Sequence, residues 1–125
     1  MKISHEFTVS RPVQTVWDFF QDVPEVAQCL PGATLTSVNE DGTYTGKVAV
    51  KLGPMSATFD GKATVSGDTT TRTGHIDGSG ADRKGGSRGQ MKVAYAMVPD
   101  GNGTKVSIDA DVILSGAAAQ FGRGG

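Results

Sequence analysis

From Gly32 to Ser115 the chain keeps returning to one pattern: a short run of alternating apolar and polar residues, then a turn built on glycine. Asp41-Gly42 separates residues 33–40 from 43–52, Gly53-Pro54 separates those from about 55–66, and Gly67-Asp68 separates these from about 70–82. The polar loop Asp82-Arg83-Lys84-Gly85-Gly86 precedes a strand running to Val98, and Pro99-Asp100-Gly101-Asn102-Gly103 leads into a last strand at about 104–115. Asp-Gly is a strong hairpin signal, because the tight turn between two strands needs positive φ at its central positions. Evenly spaced short strands joined in this way predict an antiparallel meander. No sequence repeat is detectable, which argues against a propeller or solenoid.

The alternation also predicts which way each side chain points. In 43–52, Tyr44, Val48, Val50 and Leu52 share one face, while Thr45, Lys47 and Lys51 share the other. In 55–66, Met55, Ala57, Phe59, Ala63 and Val65 oppose Ser56, Thr58, Asp60, Lys62 and Thr64. In the last strand, Val106, Ile108, Ala110, Val112 and Leu114 oppose Ser107, Asp109 and Asp111. One side of the sheet faces water and the other needs a cover.

The segment before the meander supplies part of that cover. Ile3, His5, Phe7 and Val9 alternate with polar residues and predict a further strand. Ser10 is placed to cap a helix and Pro12 to sit near its first position, where a missing N–H costs nothing. Val13, Val16, Trp17 and Phe20 then form an apolar helical stripe. Asp22 and Pro24 open a second short helix through Val26, Ala27 and Leu30, ended by Pro31-Gly32. Two such helices are too small to cover seven strands. Residues 116–120 begin like a third helix, which the chain cuts short after about Arg123. A helix of that length is marginal alone. The expected fold is therefore α+β: a curved seven-stranded antiparallel sheet with two short helices and a truncated C-terminal helix. Its concave side is left for a ligand or partner.

Composition narrows the function. The 125 residues suit one domain spanning 1–125. Twelve Lys plus Arg against thirteen Asp plus Glu leave no basic footprint for nucleic acid. No apolar run reaches the length of a membrane span, and the charged N-terminus is unsuited to a signal peptide. A single cysteine, Cys29, excludes an internal disulfide framework and fits a reducing, cytoplasmic setting.

Eight residues are candidates to line an apolar pocket: Trp17, Phe20 and Leu30 from the helical segment, and Val50, Met55, Phe59, Tyr95 and Met97 from strands. Aromatic rings offer broad apolar contact, and methionine adapts to irregular shapes. The same residue types also make ordinary core. The Tyr95 hydroxyl is suited to bonding a ligand carbonyl. His5 and His75 have no metal-ligand spacing, and Cys29 reads as a small buried hydrophobe. Strand parity sends Asp60, Asp109 and Asp111 outward, so the inner face lacks a carboxylate and no catalytic residue is assigned. Gly78 to Arg83 resembles a phosphate loop, but the strand pattern of Met91 to Val98 provides no helix N-terminus for it. Arg83, Lys84 and Arg88 make one loop basic, fit for anionic headgroups or an acidic partner, or simply solvated.

The order strand, two short helices, six strands and a helix resembles the START-like, or SRPBCC, helix-grip fold. Within it the chain is similar to the CoxG family, named for the G-subunit of carbon monoxide dehydrogenase. The likeness rests on Phe7-Thr8-Val9 with Pro12 and Val16-Trp17-Asp18, then on Cys29-Leu30-Pro31-Gly32-Ala33. Gly46-Lys47-Val48 with Gly53-Pro54, Phe59-Asp60-Gly61, Gly80-Ala81-Asp82 before Gly85-Gly86, and Gln120-Phe121-Gly122-Arg123 complete it. The departure is the missing long helix after Arg123. The resemblance implies a cavity between sheet and helices that takes a hydrophobic ligand. It also implies a molybdenum-containing carbon monoxide dehydrogenase as partner, recruited to the inner face of the cell membrane. A quinone such as menaquinone is then the expected ligand, held without covalent attachment. An assembly factor without a ligand and a cavity enzyme of cyclase or hydrolase type are the alternatives.

Overall fold

Alternation with period two becomes seven strands of one antiparallel sheet in the computed structural model, which describes residues 1–116 and 119. The elements are β1 (Lys2–Val9), α1 (Val13–Gln21), α2 (Val23–Gln28), β2 (Ala33–Val38), β3 (Tyr44–Leu52), β4 (Met55–Asp68), β5 (Thr73–Ala81), β6 (Arg88–Asp100) and β7 (Gly103–Ser115). Their order across the sheet is β1-β7-β6-β5-β4-β3-β2. Strands β2 to β7 form the expected meander. The two-helix excursion after β1 lets that strand pair with the last one, Phe7 opposite Val106 and Ile3 opposite Ala110.

Register confirms the parity. Val48 lies opposite Phe59 and Val50 opposite Ala57, while Tyr95 lies opposite Ile108 and Met97 opposite Val106. Most large apolar residues of the strands therefore share one inner face, with Val98 and Ile113 as outer-face exceptions. The outer face carries rows of complementary charge, such as Lys2, Asp111, Lys92 and Asp77 on four successive strands. Opposite charges placed across strands favour this register over a slip by one residue.

Several boundaries differ from the sequence reading, each for a local reason. Ser10 does not cap α1; Pro12 does, and its carbonyl accepts the Val16 N–H at 3.1 Å. Gly67-Asp68 is not a turn, since both pair within the β4–β5 ladder, with Gly67 opposite Gly74. The turn falls later, at 69–72, where the Asp68 carboxylate accepts from Thr70 N at 2.9 Å and Arg72 takes φ 52°. Strand β6 runs past Val98 through Pro99 to Asp100, and β2 stops at Val38. The expected C-terminal helix falls on residues 117–125, which apart from Ala119 lie outside the described residues.

The core sits where α1 presses on the inner face. Val16, Trp17, Tyr95, Met97 and Val106 form one buried cluster, with Phe7, Val9, Val13, Phe20, Ile76 and Ile108 packed around it. Gly67 and Gly74 make this docking possible. A methyl group on Gly67 would touch the Trp17 ring at 3.2 Å, and one on Gly74 would overlap the Tyr95 ring. Polar ties complete the seat. The fully buried Thr104 hydroxyl donates to the Arg11 carbonyl at 2.8 Å, and Arg72 Nη2 donates to Gln14 Oε1 at 2.9 Å. By contrast, α2 has no buried residue.

Candidate functional site

An inner face covered at one end and bare at the other is the feature with chemical consequence. At the α1 end, Trp17, Tyr95 and Met97 are packed against one another, exposed to only 1%, 5% and 2%. The Tyr95 ring meets Trp17 at a centroid distance of 6.1 Å and Phe20 at 5.7 Å. Burial raises the Tyr95 phenol above its usual range, against a smaller opposing effect of the Gln21 side chain. These four predicted pocket residues thus form a packed aromatic wall rather than separate patches on open strands.

Past that wall several described inner-face residues are left open to water. Ile3 on β1, Val48 on β3 and Met91 on β6 all belong to the inner face, yet are 49%, 45% and 39% exposed. The predicted Val50, Met55 and Phe59 lie on the same face and are half-buried. Between them runs a row without side chains: Gly46, Gly61, Gly80 and Gly89 pair in register across β3, β4, β5 and β6. A methyl group at Gly61 would collide with the Ser79 carbonyl, and one at Gly80 would lie 2.9 Å from the Asp60 carbonyl. The sheet folds too tightly for a Cβ at Gly46, Gly61 and Gly80, whereas Gly89 has room for one. The row is a crease, and it turns the bare end into a trough with Phe59 beside Gly89. This row went unnoticed in the sequence, although strand parity alone places all four glycines on the apolar face.

The remaining candidates fall elsewhere. Leu30 is 54% exposed just after α2, off the inner face. The expectation that Cys29 is buried is wrong: it is exposed, because α2 buries nothing, and its thiol lies 3.6 Å from the Glu25 carbonyl. His5 is an exposed inner-face residue with its ring 5.7 Å from Phe7, whereas His75 faces outward opposite Ala94. Among the described residues no group of three or more His, Cys, Asp or Glu is placed to hold a metal ion. Asp109 faces outward and accepts the Ser4 hydroxyl at 2.6 Å.

Arg83, Lys84 and Arg88 are all exposed. Their loop is held by Asp82, which is 7% exposed: its N–H donates to the Ser87 carbonyl at 2.8 Å and its carboxylate accepts the Lys84 N–H at 3.1 Å. Asp60 and Ala81 pair at one end of β4–β5, and Arg88 and Ser115 at the matching end of β6–β7. The basic loop therefore stands at the bare end of the sheet, next to Phe59 and Gly89.

Two hollows lie outside the core. One, of about 410 Å³, is lined by Asp18, Gln21 and Asp22 of the α1–α2 elbow, Val23 and Pro24 of α2, and Val38 and Tyr44 of the β2–β3 hairpin. The other, of about 430 Å³, is on the outer face. Its floor is the backbone of Ala63, Gly78 and Met91, and its walls include Lys62, Ser79 and Gln90 on one side and Thr64, Asp77 and Lys92 on the other.

No helix among the described residues is long and apolar enough to cross a membrane. The sequence matches no curated protein. Solved structures share the fold. A conserved protein from Geobacillus kaustophilus superposes with a TM-score of 0.82 at 14% identity, over 98% of this chain and 80% of that one. A protein from Thermus thermophilus gives 0.67 at 14% identity, over 92% and 75%. A Streptomyces aromatase/cyclase gives 0.62 at 16% identity, over 99% and 82%. These are helix-grip relatives in shape. The family is identified by sequence: a profile match across residues 6–124 means that the chain belongs to the CoxG family, that of the carbon monoxide dehydrogenase G-subunit.

Proposed function

We propose that this protein holds an apolar small molecule on the uncovered part of its inner face and carries it without altering it. The quinone pool of the cell membrane is the source this reading favours, menaquinone being a representative cargo. A molybdenum-containing carbon monoxide dehydrogenase is the enzyme served. Its electrons must reach a lipid-soluble acceptor, and a protein that shields such an acceptor on the way also recruits the enzyme to the membrane's cytoplasmic face.

The observation that carries this reading is the trough itself. Ile3, Val48 and Met91 are left in water on a face whose other end forms the buried cluster under α1. Each square ångström of apolar surface withdrawn from water is worth about 25 cal/mol, so an apolar guest gains and the fold is stabilised with it. A carrier is favoured over an enzyme because the described strands offer a reacting ligand on their inner face exposed His5, buried Tyr95 and half-buried Tyr44, but no carboxylate.

Mass spectrometry of an organic extract tests the reading, using full-length protein purified together with its membranes. An unmodified quinone at close to one per protein is the expected result, and Phe59→Asp should lose it, because an uncompensated charge is strongly disfavoured in an apolar trough. A chemically altered product would convert the carrier into an enzyme. Recovery of no apolar molecule would leave an assembly role.

A further inference from the structure

We propose that the free edge of β1 is a self-pairing surface: two copies of this chain join antiparallel along it, centred on Ser4, into one continuous sheet. The pairing is independent of what the inner face holds.

Strand β1 ends the sheet, and among the described residues nothing pairs with its far side. The ladder to β7 shows which of its groups are left over. Met1 exchanges both backbone bonds with Val112, its amino group donating to the Val112 carbonyl at 2.7 Å and its carbonyl accepting the Val112 N–H at 2.7 Å. In an antiparallel ladder such exchanging pairs alternate with pairs whose groups point away. Ile3, His5, Phe7 and Val9 therefore bond to β7, and Lys2, Ser4, Glu6 and Thr8 turn their N–H and C=O groups to the open edge. Lys2 to Glu6 are all exposed, and α1 rests on β6 and β7 rather than on β1.

The two edges of the sheet differ. Strand β2, at the other edge, is six residues long and breaks register at a bulge between Leu35 and Ser37. Its Thr36 hydroxyl donates to the Thr45 carbonyl at 3.0 Å, and α2 lies beside it. Short strands, bulges and covering elements are the usual means of keeping an edge from pairing. Strand β1 spans eight residues in unbroken register, with no bulge and no proline. What guards it is charge, and that charge is self-complementary.

A two-fold pairing must match a strand to its own reverse. With Ser4 opposite the partner's Ser4, Lys2 faces the partner's Glu6 and Glu6 faces the partner's Lys2, all through residues whose backbone groups point to the edge. An axis at Lys2 or Glu6 sets like charges opposite each other, and one at Ile3 or His5 leaves both charges unmatched. The outer face favours the same register. Asp77, Lys92, Asp111 and Lys2 alternate in sign across β5, β6, β7 and β1, and among the described residues the row stops at Lys2. The partner's Glu6 is its next member. The Glu6 side chain, 60% exposed and 3.8 Å from Lys105, has acceptor capacity left for that contact. On the inner face the same pairing sets Ile3, 49% exposed, beside the partner's His5 and joins the two inner faces at the seam.

Sedimentation velocity of the full-length protein over a hundred-fold range of concentration tests the pairing. The parent should pass from monomer to dimer and stop there, since only the bulged β2 edges remain free. Ser4→Pro removes an edge N–H that β7 does not use, so it should keep the fold and weaken dimerisation at least ten-fold. Lys2→Glu and Glu6→Lys each set like charges across both symmetric contacts and should each weaken it about ten-fold. Mixed in equal amounts, these two variants match again at both contacts, and their heterodimer should dissociate within about two-fold of the parent's constant. Folding of either variant cannot produce that rescue, because mixing changes only the partner. A parent that stays monomeric throughout, a dimer that Ser4→Pro does not weaken, or a mixture that associates no better than its components would each overturn the proposal.

Discussion

Gly61 and Gly78 are both inner-face strand residues, but their surroundings differ. A methyl group at Gly61 collides with the Ser79 backbone carbonyl, whereas one at Gly78 meets its neighbours at 3.6–3.9 Å, an ordinary contact. Backbone cannot step aside as a flexible side chain can, so Gly61→Ala should cost roughly 2 kcal/mol or more, the range of forced overpacking. Gly78→Ala should stay within about 0.5 kcal/mol of the parent. Urea unfolding of the two variants checks this, and equal costs would show that the crease does not exist. Tyr95 supports a second prediction. In the unfolded chain a tyrosine ionises near 10.0, and burial raises Tyr95 above that. Above this pH the unfolded state has released a proton that the folded state keeps, so stability falls as pH rises. The contribution is fully present below pH 10 and is lost through the alkaline range. Tyr95→Phe should therefore flatten the alkaline limb of a stability-against-pH curve, and an unchanged limb would mean that the phenol is not shielded.

The elements were largely legible because period-two alternation and glycine turns are local signals. Parity read from residues 43–52, 55–66 and 104–115 agrees with the register of all three strands. What failed was the meaning of single glycines. Gly67 resembled a turn residue but is a strand position emptied for Trp17, a residue 50 positions away that no local window can see. Cys29 failed for a related reason, since a helix with an apolar stripe is normally buried, yet α2 lies over no core. The same contrast separates the helices in stability. Native-state hydrogen exchange should find the α1 amides that follow Val16 protected to near the global unfolding free energy, and those of α2 exchanging several kcal/mol more easily, roughly at the level of fraying segments. Equal protection of the two would contradict the packing difference. Trp17→Ala, which empties the seat of α1, should cost about 3–5 kcal/mol and bring the two helices' protection together.

At the scale of the whole molecule, the face left bare among the described residues was foreseeable by counting, since the two described short helices cannot cover seven strands. The trough's shape was not, because it depends on Gly46, Gly61, Gly80 and Gly89 coming into line, and that needs three registers at once. Assembly also gives the basic loop a place that its sequence did not reveal. Arg83, Lys84 and Arg88 stand at the open end of the trough, on a turn fixed by buried Asp82. Under the carrier reading, a cationic loop beside an apolar opening would orient the molecule on an anionic surface with the opening towards the bilayer, each cation adding about 1 kcal/mol near such a surface. Arg83→Glu/Lys84→Glu should thus weaken binding to vesicles containing anionic lipid by ten-fold or more at low salt. The loss should shrink as ionic strength rises, since the Debye length falls to about 8 Å at physiological salt. Capture of a quinone supplied in detergent should be unaffected, because neither residue lies on the inner face. Vesicle sedimentation and detergent-phase binding, measured on the same two proteins, separate these outcomes. If vesicle binding is unchanged the loop does not orient the molecule, and if detergent-phase capture falls with it the loop belongs to the trough rather than to its approach.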